Sequence, residues 1–448
     1  FPAFCQSSIR QSKLVLFIKV SYLIDCMKGF IIYPTYRIID GKTYACLYGR
    51  LENGDSFLTI NYARPYFYIK QFDLDKALQL DDFDHEGTDF KDFHGNKVSK
   101  IILDIPSEVP KLRELFSLND IKTYEADVKY AYRFMIDNNL QSALDISGDY
   151  EPGEHIDRVY KEPEIKPAIY QPKLKVLSMD IESSPDGKHL YCISLHSDNC
   201  SKVLVISNKQ LKNSIICKNE RELLEKFVEE LFKIDPDVIT GWNLIDFDLN
   251  YLQSKFRQYK MPFNFGRDNA NNKIRIEKEF MRESKAEIVG RQVLDGLHLL
   301  RASFIKVEDY KLDSVANKVL GKRKLITGEG RHELIEKYFK EDKQKLVDYC
   351  LNDSILVYEI LEKTNTLDLT IQRSLLTGMP LDRVNASIAS LDSLYLKEAR
   401  RRKVVCPSMS IGDRVARITG GYVMEGKSGI YDNILVLDFK SLYPSIMR

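Results

Sequence analysis

Asp180 and Glu182 stand two residues apart in KVLSMDIES, with Ile181 between them. In a strand, residues i and i+2 project to the same face, so this spacing sets two carboxylates side by side while Ile181 turns into a core. Like charges that close repel, and a divalent cation between them relieves the repulsion; a solvent-facing strand edge is the plainer alternative. A second pair, Asp246 and Asp248, follows in GWNLIDFDLNYL. Phe247 and Leu249 can anchor that turn while Asp248 faces a cleft, although acids capping a helix start would look the same. Asp353 lies four residues after Tyr349 in YCLND, and positions i and i+4 share a helix face. An acid and a phenol placed so can hold a metal ligand and orient a water; an exposed polar stripe is the alternative. Asp438 completes the set, at the tip of the apolar run NILVL (433–437), which reads as a buried strand followed by a polar turn.

Combined, a strand, a turn and a helix offer four carboxylates: Asp180, Glu182, Asp248 and Asp353. Two Mg²⁺ ions about 4 Å apart could be held there, clamping the attacking and leaving oxygens of a phosphodiester. One ion would activate a water oriented by Tyr349, the other would stabilise the leaving 3′-oxygen, and the product would be a nucleoside monophosphate. The eight cysteines form no CxxC pair and the seven histidines no HExxH. That argues against a zinc site or a disulfide framework and for reduced thiols in a cytoplasmic protein. Oxygen ligands favour Mg²⁺ or Mn²⁺. The net charge of +1 carries no bulk signature of nucleic-acid binding, but a local basic groove is invisible in a total.

The elements that must position these residues form an α/β multidomain chain. From Gly29 to Lys70 the pattern is β-rich, with hairpin turns at Asp40-Gly41 and Asn53-Gly54. The acidic stretch 81–92 reads as a solvated loop, 108–118 as a short helix, and the proline-bearing 162–173 as a linker. Strands and helices alternate from 174 to about 365, with helices expected over 221–234 and 343–364 and a buried strand at 237–241. Helical patterning returns from 366 to 405 and ends in the basic cluster Lys397, Arg400, Arg401, Arg402 and Lys403. Residues 14–24 are apolar but too short to span a bilayer. Met27 reads as the start, with 1–26 a non-native or disordered leader. The domain expectation is 27–172 β-rich, 173–365 carrying the acids, and 366–448 a helical connection into a further domain.

SMDIES, GWNLIDFDL and YCLND, in that order, resemble the three exonuclease motifs of family B DNA polymerases, and DFKSLYPSI resembles the family's first polymerase motif. YEADVKYAYRFMID, DPDVITGWN and GMPLDR are similar to other family segments. The context TGGYVMEGKSGIYDNILVLDFKSLYPSI looks most like the bacterial DNA polymerase II branch. The resemblance covers roughly residues 27 to 448. It implies an RNase H-like 3′–5′ exonuclease domain between a β-rich N-terminal domain and the start of a polymerase palm. It makes Asp180, Glu182, Asp248 and Asp353 metal ligands and Tyr349 the residue that orients the water. Asn243 and Phe247 match the family's NxxxFD pattern and would hold the primer terminus; Asp246 takes no role. Asp438 resembles the first metal-binding aspartate of the palm, with the Phe439 carbonyl beside it. Amides at Ser441 and Leu442 would meet the triphosphate, and Tyr443 would exclude a 2′-hydroxyl.

The family's second palm aspartate motif and its KxxxNSxYG helix do not occur in 1–448, so the expectation is a complete nuclease site with half a polymerase site and the remainder beyond Arg448. Implied partners are primer-template DNA, single-stranded 3′ ends, dNTPs and a sliding clamp bound through an absent C-terminus; a monomer away from membranes is expected. The Gly420-Gly421-Tyr422 order departs from the family's Tyr-x-Gly-Gly linker, which leaves its DNA-contacting role open. The basic cluster 397–403 reads equally as a phosphate contact or a solvated helix face. A stand-alone exonuclease and a non-catalytic DNA-binding scaffold are the competing functions.

Overall fold

The computed structural model describes residues 26–277, 284–326, 330–409, 421–422 and 424–448. The expected leader lies almost wholly outside them. The chain divides into two compact units, one up to Met409 and one from Ser410.

In the first unit a seven-stranded sheet runs in the order Glu164–Pro167, Ala143–Ser147, Cys26–Ile39, Lys42–Leu51, Ser56–Tyr62, Arg158–Lys161, Tyr150–Glu151. Its first hairpin turns at Asp40 and Gly41, both with positive φ (49° and 73°), the conformation a two-residue turn needs to match strand twist. A four-stranded sheet, Asp84–Lys91, Lys97–Ile102, Tyr66–Lys70 and Thr123–Tyr124, packs Phe67, Ile69 and Ile101 against Leu112 and Phe116 of the helix Glu108–Leu118. The stretch expected as a solvated loop is therefore partly a strand: Asp84–Lys91 pairs with Lys97–Ile102 while its side chains stay mostly exposed. A charged edge strand has a loop's composition because charge is how sheets protect an edge. The expected linker differs likewise. Glu164–Pro167 pairs with Ala143–Ser147, and a proline is tolerated there because the strand lies at the sheet edge.

The second large sheet has six strands in the order Ser214–Cys217, Cys200–Ile206, Leu190–Ser197, Val176–Ser183, Val238–Gly241, Gln292–Asp295. Leu190–Ser197 is antiparallel to both neighbours, and Val238–Gly241 and Gln292–Asp295 run parallel to Val176–Ser183. Alternation divides the 176–183 strand. Leu177, Met179 and Ile181 enter a core with Leu223, Leu224, Phe227 and Leu231 from the helix Glu220–Ile234, capped by Asn219. The even-numbered residues face the helix Lys343–Thr364, which buries Leu346, Val347 and Cys350 against Cys192, Val203 and Val205. The whole is a mixed α/β architecture.

Buried charges join the sheets. Arg50, on the strand Lys42–Leu51, donates to Asp237 and Asp235 at 2.8 Å each; Arg267 reaches the same two carboxylates at 2.7–3.1 Å. Gln292 adds a hydrogen bond to the Ile32 carbonyl, 2.7 Å.

In the second unit the expected strand 433–437 does not form. Ile434, Leu435, Val436 and Leu437 are irregular and exposed. An apolar run becomes a buried strand only beside a pairing partner and a face to cover, and no strand occurs among the described residues of this unit. The one regular element among its described residues is the helix Leu442–Met447.

Candidate active site

Pleat and helix periodicity bring three of the expected acids together. Asp180 and Glu182 project from one face of their strand, and Asp353 comes down from the helix Lys343–Thr364; carboxylate oxygens of all three lie within 4.8 Å of one another. Asp353 is 1% and Glu182 5% exposed. Asp248 arrives from the other side. After Val238–Gly241 the chain turns through Trp242 and Asn243 into one wide helical turn, Ile245–Leu249. Asn243 has φ 60°, a left-handed conformation that asparagine tolerates better than most residues. Asp248 Oδ1 then accepts the main-chain N–H of Ile181 at 3.1 Å, which ties this turn to the backbone between Asp180 and Glu182.

Gly241 permits that approach, since a Cβ there would stand 2.7 Å from the Met179 carbonyl oxygen. Asp180, Glu182 and Asp248 line a cleft of about 950 Å³ whose walls include Trp242, Asn243, Phe247, Arg301 and Tyr310; Asp353 lies buried behind them. Phe247 is 58% exposed. Trp242 Nε1–H donates to the Tyr310 carbonyl at 3.1 Å, and the Arg301 guanidinium lies over the Tyr310 ring at 5.2 Å.

Crowding and burial push every acid toward its neutral form. Burial raises Asp180 well above the ordinary range, with Asp248, Asp353 and Glu182 adding repulsion. Burial likewise raises Asp248 well above it, raises Asp353, and brings Glu182 up to about 7. Two cations offset part of this. Lys324 Nζ lies 2.5 Å from Asp353 Oδ2, and Arg331 Nη2 lies 3.1 Å from Glu182 Oε1. Sequence reasoning missed both; the only trace was the basic run Lys322-Arg323-Lys324 between two helices. The donor set itself, three buried carboxyls and the half-buried Asp180, with three oxygens in mutual reach, fits a hard divalent cation. The Cys350 thiol stands 3.7 Å from the Asp180 carbonyl oxygen.

Tyr349 stands one helical turn before Asp353. It is 0% exposed, and the charges of Lys324 and Arg331 each lie 5.5 Å from its ring centroid. Its buried hydroxyl has no hydrogen-bond partner among the described residues.

Four of the five cations of the basic cluster have acidic partners. Arg401 and Arg402 pair with Glu398 at 2.7 Å each, Arg400 with Asp137 at 3.1 Å, and Lys403 with Asp89 at 3.3 Å. Lys397 donates to the Thr377 carbonyl. In the second unit Asp438, Phe439, Ser441, Leu442 and Tyr443 are all exposed. Among the described residues no metal-ligating cluster forms around Asp438.

A model of the DNA polymerase family B exonuclease domain matches residues 121–315, and one of DNA polymerase family B matches residues 385–448. The chain is 32% identical over 366 residues to DNA polymerase II of Escherichia coli (strain K12), covering 80% of this chain and 46% of that protein. It is 28% identical over 445 residues to a DNA polymerase of Archaeoglobus fulgidus, covering 94% of this chain and 53% of that one. The chain thus spans about half the length of the relatives it matches. Among solved structures, the family B DNA polymerase of the hyperthermophilic archaeon Pyrobaculum calidifontis shares the fold over 86% of this chain and 52% of that one, with a TM-score of 0.70 at 23% identity.

Proposed function

This chain belongs to DNA polymerase family B, and on that premise we propose that its first unit hydrolyses 3′-terminal phosphodiesters of DNA, as the proofreading exonuclease of a DNA polymerase. One observation carries the reading: Asp180, Glu182 and Asp353, from a strand and a helix, converge within 4.8 Å, beside a cleft that Asp180, Glu182 and Asp248 line.

Mg²⁺ or Mn²⁺ held by Asp180, Glu182, Asp248 and Asp353, two ions to the site, would supply the charge that activates water and steadies the departing 3′-oxygen. The remaining work falls to this chain's own groups. Phe247, exposed at the cleft wall, stacks on the terminal base, and Asn243 holds the terminal sugar. Arg301 and Lys311, also at the wall, receive upstream phosphates. Lys324 and Arg331 keep the acids compensated until substrate and cations enter. Tyr349 would orient the attacking water, its hydroxyl being without a hydrogen-bond partner among the described residues.

The finer layout belongs to the same proposal: an RNase H-like nuclease domain, a β-rich N-terminal domain and the start of a palm. There Asp438 and the Phe439 carbonyl would take a metal for nucleotidyl transfer. Ser441 and Leu442 would meet a dNTP, and Tyr443 would select against ribose. Primer-template DNA, a sliding clamp, a monomeric state and a cytoplasmic location are likewise proposed for the whole protein.

The test uses the 448-residue chain, 3′-labelled single-stranded DNA and Mg²⁺. Labelled mononucleotides should be released from the 3′ end, and Asp180→Ala/Glu182→Ala should cut the rate at least about 10³-fold. A folded chain that binds DNA yet releases nothing would sink the reading.

A further inference from the structure

Asp295 is a buried acid that the nuclease chemistry leaves unused. It ends the strand Gln292–Asp295, opposite Gly241 in the parallel register, and is 3% exposed. One oxygen does two jobs. Oδ1 accepts the Leu297 N–H at 2.9 Å, capping the short helix Gly296–Arg301, and accepts the Asn243 N–H at 3.2 Å. The other oxygen, Oδ2, has no hydrogen-bond partner among the described residues, and the acid borders a cavity of about 40 Å³ beside His298.

The second of those bonds is the informative one. Asn243 is held at φ 60°, a conformation a non-glycine residue keeps only when its surroundings hold it. Its carbonyl accepts the Phe247 N–H at 3.2 Å, so the same turn sets where Phe247 begins. Close packing leaves this junction little slack: a Cβ on Gly296 would stand 3.0 Å from the Gly241 carbonyl oxygen and 3.4 Å from the Trp242 ring. A capping bond alone would need no link to Asn243.

We propose that Asp295 is a positioning residue for the pocket of the 3′-terminal nucleotide: its Oδ1 locks the Asn243 main chain, and through it aims Asn243 and Phe247 into the cleft. The inference rests on the nuclease reading above. Because Oδ1 acts as an acceptor, a neutral amide should replace it. Asn and Ser are both good helix caps, so Asp295→Asn and Asp295→Ser each keep the start of the helix. Only Asn is long enough to reach Asn243 as well, and the small cavity beside Oδ2 gives its amide nitrogen room.

The experiment measures kcat and KM for mononucleotide release from a 3′-labelled oligothymidylate with the 448-residue chain, and affinity for the same strand with Ca²⁺ in place of Mg²⁺. Asp295→Asn should stay within about twofold of wild type in every parameter. Asp295→Ser should raise KM and weaken strand binding about tenfold with kcat nearly unchanged, as expected for lost binding common to ground and transition states. Asn243→Ala should do the same, and the double variant Asn243→Ala/Asp295→Ser should be no worse than Asn243→Ala alone, because the two residues act as one unit.

Three results would overturn the inference. They are wild-type behaviour of Asp295→Ser, an Asp295→Asn chain as impaired as Asn243→Ala, and multiplying losses in the double variant. The Asn variant decides the matter alone should the Ser variant fail to fold. A wild-type chain that releases nothing overturns the nuclease reading first, and this inference with it.

Discussion

Arg50 and Asp237 lie 187 residues apart in sequence and meet with almost no solvent between them: Nε and Nη2 stand 3.0 and 2.8 Å from the same carboxylate oxygen. Each side chain is at most 1% exposed. The pair joins the seven-stranded sheet to the loop that leads into Val238–Gly241, so it couples the N-terminal strands to the scaffold of the acids.

Breaking that pair should be costly. Arg50→Met leaves Asp237 buried with Arg267 as its remaining arginine, at 2.7 Å. Losing one partner of a buried pair removes about 3 kcal/mol or more. The expected result is a lower urea midpoint, together with weaker nuclease activity from a distant substitution. An unchanged midpoint would contradict the coupling.

Glu182 sets a pH dependence. Burial holds its carboxyl at about 7 against an ordinary 4.5. Between those values the folded, cation-free chain keeps a proton that the unfolded chain has released. Its stability should therefore be fully present below about pH 4.5 and fall as the pH rises toward 7. The same proton must leave before a cation binds, so Mg²⁺ binding should strengthen up to about pH 7 and release protons below it. Calorimetry in two buffers of different ionisation enthalpy reads the protons directly; none released at pH 6 would refute the assignment.

Lys324 competes with a cation for Asp353. Lys324→Gln removes the ammonium 2.5 Å from Oδ2. Manganese should then bind several-fold more tightly, read from the signal of free Mn²⁺ in electron paramagnetic resonance. Without metal the variant should melt earlier at pH 8, where the acids have lost a compensating charge. Weaker manganese binding would show that Lys324 organises the acids instead.

Gly241 holds two ligand-bearing segments together. Gly241→Ala would place its Cβ 2.7 Å from the Met179 carbonyl oxygen and 3.0 Å from Leu244 Cδ1. Overpacking of this kind costs about 1–3 kcal/mol. Because Met179 precedes Asp180 and Leu244 leads to Asp248, mononucleotide release should fall more than tenfold, beyond what the change in thermal midpoint accounts for. A loss confined to stability would mean that the sheet yields without moving the acids.

Much of this site was legible because its signals are local. Asp180 and Glu182 declare themselves by two-residue spacing, Asp353 by its place within an apolar helix, and the hairpin at Asp40-Gly41 by its turn residues. Lys324, Arg331 and Asp295 were not legible. A lysine, an arginine and an acid after a strand are ordinary residues until folding shows what they touch. Local reading also misled. Asp84–Lys91 carries a loop's composition on a paired edge, and the apolar run 434–437 announces a strand whose partner no local pattern can supply.

The acids also carry a schedule. Cys350, whose thiol touches Asp180, lies 170 residues further along the chain, and Asp353 follows it. Synthesis at about 5–20 residues per second places roughly 10–35 seconds between the first acid and the last. A chain still attached to the ribosome holds only part of the ligand set for that interval. If the chain is a nuclease as proposed, its ligand set would be complete only once the helix Lys343–Thr364 has emerged and docked.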